Sequence, residues 1–127
     1  MTFFLDNNLS EQLAKGMKGF GEKVVHLKDL FPEDAEDTLW LTYVGKNRMC
    51  LITRDERIRW RPAELRAFRE HEVGAFFLGG KNRTACQLVQ QLVRCWPQMK
   101  QKAVKDRRPF ACRVSATGTK FVSIPLM

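Results

Sequence analysis

Residues 48–57 read RMCLITRDER, and the change of character within them decides the fold. Arg48 to Thr53 is an apolar run without the alternation of a half-exposed strand. It is the pattern of a strand covered on both faces, which parallel sheets use. GAFFLGG, residues 74–80, reads as a second buried strand closed by glycines. Between the two, Pro62 suits the first position of a helix carrying Leu65, Ala67 and Phe68 inward. Upstream, the pattern predicts a helix from about Thr38 to Gly45 and strands at Thr2–Leu5 and Lys23–Leu27. Leu9, Leu13, Met17 and Phe20 lie three or four apart, one face of a helix that Asn or Ser can cap and that Gly16, Gly19 and Gly21 end. Downstream, Thr84–Trp96 is helical, and Pro97 breaks this helix or begins another. FACRV and KFVSI flank SATGT as a hairpin turning at Gly118. Four alternations of strand and helix before that hairpin predict a single α/β domain over residues 1–127, a mostly parallel sheet covered by helices.

The composition agrees. A chain of 127 residues with 44% apolar content can build one core. The longest apolar run, Val73–Leu78, is far short of the roughly 20 residues a membrane span needs. Met1–Leu5 meets an aspartate at once, with no basic stretch before it, so a signal peptide is not expected and the cytoplasm is. Cys50, Cys86, Cys95 and Cys112 show no C-x-x-C spacing and read as reduced thiols. A zinc site would need His26 and His71 to converge with them from unrelated segments. The net charge is +8, but residues 1–80 hold 12 basic and 13 acidic side chains, whereas residues 81–127 hold 10 basic and one acidic. A basic face attracts phosphate backbones.

In such folds ligands gather at the carboxyl ends of the parallel strands. Asp6 follows the first strand, and Asp55 follows the third. Glu33, Asp34, Glu36 and Asp37 fill the loop before the second helix. Any one of these alone reads as a helix cap or a solvated loop residue. Together, clustered carboxylates repel one another unless a hard cation holds them, and Mg²⁺ suits such a set because it keeps waters and accepts phosphate oxygens. Two such ions can clamp a phosphodiester. His26, at the end of the second strand, reads as a hydrogen-bonded packing residue, with acid–base chemistry as the alternative. The glycines close a helix instead of opening one, and neither a P-loop nor a G-x-S-x-G elbow is present.

FFLDNNLSEQLAKGM (3–17), VVHLKDLFPEDAEDTLW (24–40), LITRDERIRWRPAE (51–64) and GAFFLGG occur in the order found in PIN-like domains of VapC-type toxins, and from Thr2 to about Gly80 the chain resembles that family. The resemblance implies a three-layer α/β/α fold and an endoribonuclease whose acids bind Mg²⁺ or Mn²⁺ and activate a water against RNA. It implies as ligands Asp6, Asp37 and Asp55, with Asn7 and Thr53 supporting them. Relatives commonly read D-E-E-W where this chain reads Asp37-Thr38-Leu39-Trp40, which leaves Glu36 or Glu56 as substitutes. It implies a small cognate antitoxin as partner.

The charge map fits an RNA substrate. Arg54, Arg57, Arg59 and Arg61 surround Asp55, and Lys81 and Arg83 follow the GAFFLGG strand, so these are the candidate phosphate contacts. Trp60 reads as a core residue, with base stacking as the alternative. The late lysines Lys100, Lys102 and Lys105 are expected to hold RNA or an acidic antitoxin segment. Exposed Phe or Trp faces on the late helices are candidates for a homodimer contact. Two other functions fit parts of the pattern: a catalytically inactive PIN-like module that binds RNA or a protein, and a phosphoacceptor receiver. The receiver fits least, because two asparagines follow Asp6 where paired acids are needed.

Overall fold

The computed structural model describes residues 1–126. Its strands are β1 (Phe3–Leu5), β2 (Val24–His26), β3 (Cys50–Thr53), β4 (Gly74–Leu78), β5 (Phe110–Val114) and β6 (Phe121–Ser123). Its helices are α1 (Glu11–Gly19), the single turn α2 (Leu27–Leu30), α3 (Asp37–Lys46), α4 (Pro62–Glu70) and α5 (Ala85–Lys105), with a 3₁₀ turn at Glu56–Arg59. The strands form one sheet in the order β2-β1-β3-β4-β5-β6, parallel from β2 to β5, with β6 antiparallel at the edge. This is the α/β class that the sequence pattern predicts.

Alternation along the strands sorts the core into two sides. Phe3, Leu5, Cys50, Ile52, Phe76 and Leu78 pack with Leu9 and Ala14 of the α1 region and with Leu92, Cys95 and Met99 of α5. Phe4, Leu51, Ala75 and Phe77 pack on the other face with Trp40, Leu41 and Val44 of α3 and Phe68 of α4. The result is three layers with the sheet in the middle. Burial of this kind contributes on the order of 2 kcal/mol for each large side chain, so these two clusters set the strand positions firmly.

Local chemistry explains most of the helix boundaries. The Ser10 hydroxyl accepts the Leu13 amide at 3.1 Å and starts α1. Gly16 and Gly19 lie inside α1, and Gly21, at φ +86°, reverses the chain behind it. Pro62 is the first residue of α4, as its missing N–H predicts. Thr84 and Gln87 form a capping box on α5.

The structure departs from the sequence pattern at Pro97 and Phe20. Pro97 neither breaks nor begins a helix, because α5 runs through it for 21 residues. Pro97 and Val93, whose carbonyl loses its donor there, are both exposed, so water can serve the freed group. Phe20 is 90% exposed beyond the last turn of α1 and does not join the buried face. It flanks an apolar groove of about 460 Å³ between α1 and α5, with Leu13, Gly16, Val93 and Trp96.

All four cysteines are free thiols, and burial pushes Cys50 and Cys95 up to about 12. Among the described residues no helix is long and apolar enough to cross a membrane.

Two glycines separate packing from propensity. A Cβ at Gly45 would strike the backbone carbonyl and Cβ of His71, where α3 meets the end of α4. A Cβ at Gly16 would meet nothing within 4 Å. Gly45→Ala is therefore expected to destabilise by about 1–3 kcal/mol through overpacking. Gly16→Ala should stabilise by about 0.5–1 kcal/mol through helix propensity. Urea denaturation of the two variants checks both signs.

Candidate active site

In the strand order β2-β1-β3-β4, the chain leaves β1 to one side and later returns on the other. The crevice outside the carboxyl ends of β1 and β3 is thus the topological switch point, where open parallel sheets bind their ligands. A cleft of about 610 Å³ opens there. Asp6 from the end of β1, Asp55 from beyond β3 and Asp37 from the start of α3 all line it, with Asn7, Asn8, Glu33, Asp34, Arg54 and Arg57. Three segments distant in sequence converge because β1 and β3 are neighbours and α3 caps their ends.

Asp6 is only 4% exposed. The Thr53 hydroxyl donates to its Oδ2 at 2.7 Å, and the Asn8 amide to its Oδ1 at 3.0 Å. No cationic side chain pairs with it among the described residues. Burial pushes its carboxyl up to about 6. The Thr53 and Asn8 bonds pull the other way, while Asp55 and Asp37 add a like-charge push upward. A buried carboxylate facing two others is an electrostatic arrangement that a cation would relieve.

The outer acids are held differently. The Asp37 carboxylate accepts the Trp40 indole N–H at 3.1 Å and Arg61 at 3.3 Å. Burial raises it above the usual range against the Trp40 bond and the Arg61 charge. For Asp55, burial pushes upward but the bonds and charge of Arg57 outweigh it, and the carboxyl sits below its ordinary value. Arg57 reaches it with its backbone N–H at 3.1 Å, Nε at 2.9 Å and Nη2 at 3.4 Å. Among the described residues no three His, Cys, Asp or Glu side chains are gathered closely enough to hold a metal ion as they stand. The donors are nonetheless all hard oxygens, and Mg²⁺ asks for only one or two carboxylates beside its waters.

Asn8, to which the sequence pattern assigns no role, ties the strand ends together. Its side chain donates to Thr53 Oγ1 at 3.1 Å and accepts the Arg54 amide at 2.9 Å. Thr53 therefore sits in the centre of the network, taking the Asp55 amide as well at 3.0 Å. The signal for this turn is present in Asp6-Asn7-Asn8, because an Asx turn joins a side chain to the amide two residues on. Asn7 points elsewhere, to the Glu33 carbonyl at 2.8 Å, and so holds the acidic loop against the cleft.

Most other candidates fall outside the cleft. Glu56 pairs with Arg113 and Arg59, so it does not replace the missing acids. Glu36 is exposed at the N-cap of α3 and does not line the cleft. Arg59, 9% exposed, donates to the Pro125 carbonyl at 3.2 Å and pairs with Glu56 at 3.6 Å, so its buried guanidinium is engaged within the fold. Trp60 is 54% exposed with the Arg59 guanidinium 4.9 Å from its ring, contrary to the core reading. Arg54 lines the cleft and donates to the Gly80 carbonyl at 2.8 Å. Arg83 donates to the Ala116 carbonyl at 2.7 Å, and Lys81 is exposed. His26 is consumed structurally: Nε2 meets the Leu9 carbonyl at 2.7 Å and Nδ1 accepts the Lys28 amide at 3.1 Å.

The late lysines are also misplaced for the cleft. Gln91 near the start of α5 donates to the carbonyls of Gly79 and Ser115, at the carboxyl ends of β4 and β5. From there α5 runs toward the opposite edge, its full length being about 30 Å at 1.5 Å per residue. Lys100 pairs there with Glu22, just before β2, and Lys102 with Asp106.

A profile of the PIN like domain family matches residues 1–80. This chain belongs to that family. The match spans β1 to β4 and all three aspartates of the cleft. No curated protein and no solved structure matches the chain. PIN-like domains often carry nuclease activity, and here the family's region and the acidic switch point coincide.

The raised Asp6 carboxyl makes the stability of this PIN-like domain pH-dependent in a defined direction. The folded state holds the Asp6 proton more tightly than the unfolded chain, so this contribution is complete below pH 3.8 and is lost as the pH rises to about 6. A rise from 3.8 to about 6 is equivalent to about 3 kcal/mol. With chelator present, the unfolding free energy of wild type minus that of Asp6→Asn should fall by about that much between roughly pH 3 and pH 7. Denaturant titrations at several pH values measure it.

Proposed function

We propose that this PIN-like domain is a metal-dependent endoribonuclease, the toxin of a cytoplasmic toxin–antitoxin pair restrained by a small cognate antitoxin. The observation that carries the reading is the convergence of Asp6, Asp37 and Asp55 on one cleft at the switch point, with the buried Asp6 lacking a counter-ion among the described residues. Asp6, Asp37 and Asp55 would supply the carboxylate oxygens that hold Mg²⁺ or Mn²⁺. When bound, such an ion polarises a phosphoryl oxygen and lowers the pKa of a bound water.

The chain's own groups supply the rest. Thr53 and Asn8 keep the Asp6 carboxylate oriented by donating to one oxygen each. Arg54, Arg57 and Arg61 are the cations at the cleft that can meet the substrate backbone, and Lys81 extends this set along the same sheet edge. Trp60 keeps half its surface free for an unpaired base. Every group this chemistry uses comes from one copy of the chain, so a homodimer is not required for it.

The second reading, a PIN-like module that only binds, draws support from the arginines that occupy Asp55 and Asp37 and from the absence of acids at Thr38 and Leu39. Cleavage of single-stranded RNA with and without Mg²⁺ or Mn²⁺ decides between them. The nuclease reading expects metal-dependent cleavage that Asp6→Asn lowers by about a hundredfold or more. Cleavage that is unchanged in the variant rules out this site. RNA binding by wild type without cleavage in either metal favours the binding module. Growth arrest on expression, relieved by co-expressing the product of a neighbouring small reading frame, tests the toxin role.

A further inference from the structure

The three aspartates of the cleft differ in one respect that the nuclease reading leaves unused: Asp55 and Asp37 each carry an arginine, and Asp6 carries none among the described residues. We infer that Arg57 and Arg61 are exchangeable counter-ions, neutralising Asp55 and Asp37 in the metal-free cleft and passing to the RNA phosphates when a divalent cation takes those carboxylates. The inference rests on the nuclease reading and adds how its substrate is admitted.

Lone-pair accounting at Asp55 motivates it. A carboxylate oxygen offers about two acceptor sites. Asp55 Oδ1 already accepts the Arg57 backbone N–H at 3.1 Å and its Nε at 2.9 Å, and Nη2 reaches Oδ2 at 3.4 Å. The backbone bond belongs to the 3₁₀ turn that Asp55 caps and can stay. A cation can use Oδ1 only if the Arg57 side chain leaves. That side chain is 68% exposed and, among the described residues, pairs with no other acid, so leaving disturbs nothing else.

Arg61 is placed for the same exchange. Its Nη1 lies 3.3 Å from Asp37 Oδ2 and 3.8 Å from Glu64, in the first turn of α4. Glu64 therefore keeps Arg61 at the cleft after Asp37 is taken. Arg113 and Arg59 on Glu56 show the contrast: these pairs lie away from the cleft, and Arg59 is buried.

Charge supplies the coupling. The acids of the cleft, Asp6, Glu33, Asp34, Asp37 and Asp55, outnumber Arg54, Arg57 and Arg61 and leave a net negative charge, which repels a phosphate. A divalent ion cancels it and frees two planar donors suited to phosphate oxygens. Metal and RNA then bind in order.

Mn²⁺ titration calorimetry on wild type, Arg57→Ala and Arg61→Ala, without RNA, tests the exchange. Each variant should bind Mn²⁺ about fivefold more tightly, since a competing cation is gone. With Mn²⁺ present, stopped-flow anisotropy of labelled single-stranded RNA, read before cleavage, should show weaker binding and a salt slope lower by about one per arginine. A purely structural role would not tighten one ligand while weakening the other. Arg57→Gln and Arg61→Gln replace the alanine variants if thermal melts show these to be unfolded. Mn²⁺ affinity that is unchanged or weaker in both variants overturns the exchange and leaves the nuclease reading intact. Absence of Mn²⁺ binding in all three proteins overturns the metal reading and the exchange with it.

Discussion

The hydrogen bond from Thr53 to Asp6 joins the carboxyl ends of two adjacent parallel strands, and the arrangement of the cleft depends on it. Asp6 is buried because β1 lies between β2 and β3 and beneath helices on both faces. A carboxylate in that position loses its hydration, and two neutral donors return only part of it. Thr53 cannot be read as a simple cap. Its one hydroxyl donates to Asp6 while accepting from Asn8 and Asp55, so its geometry is fully determined. Altering any partner would move the others.

That precision needs a rigid frame, and the two core clusters supply it. Phe3 and Leu5 pack toward α5 while Phe4 packs toward α3, so β1 cannot rotate to relieve its aspartate. The same holds for β3, with Cys50 and Ile52 on one side and Leu51 on the other. Hydrophobic burial of this size offsets an unpaired acid at a strand end, which is the usual relation between a stable scaffold and a functional site that costs stability.

Legibility in the sequence varies with the range of the interaction. The buried strands are readable because RMCLIT and GAFFLGG lack alternation, and Pro62 and Ser10 mark helix starts by local chemistry. Asp6, Asp37 and Asp55 are readable because strand ends are where parallel sheets bind ligands, and the structure brings all three to one cleft. Partner choice is not readable. That Arg59 turns to Pro125 while Arg57 turns to Asp55 depends on a chain segment 66 residues away. The basic character of residues 81–127 is plain in composition. Its direction is not, because a 21-residue helix carries Lys100 and Lys102 to the edge opposite the acids. Pro97 misleads for a related reason, since a proline's effect on a helix depends on whether its freed carbonyl meets solvent.

The charge of the chain therefore has two separate parts. At the cleft, Arg57 and Arg61 stand within hydrogen-bonding distance of Asp55 and Asp37, but the acids of the lining outnumber the cations, so the cleft keeps a negative charge that a single divalent ion would offset. At the far edge, Arg48, Arg107 and Arg108 line a polar recess of about 400 Å³ with Glu72 and Asp106, where basic groups outnumber acids. A field falls off over a Debye length of about 8 Å at physiological salt, far less than the length of α5. The far edge cannot hold a phosphate that lies in the cleft by screened attraction alone. In the nuclease reading that task falls to the arginines beside Asp37 and Asp55, which would put substrate affinity and acid neutralisation in the same side chains.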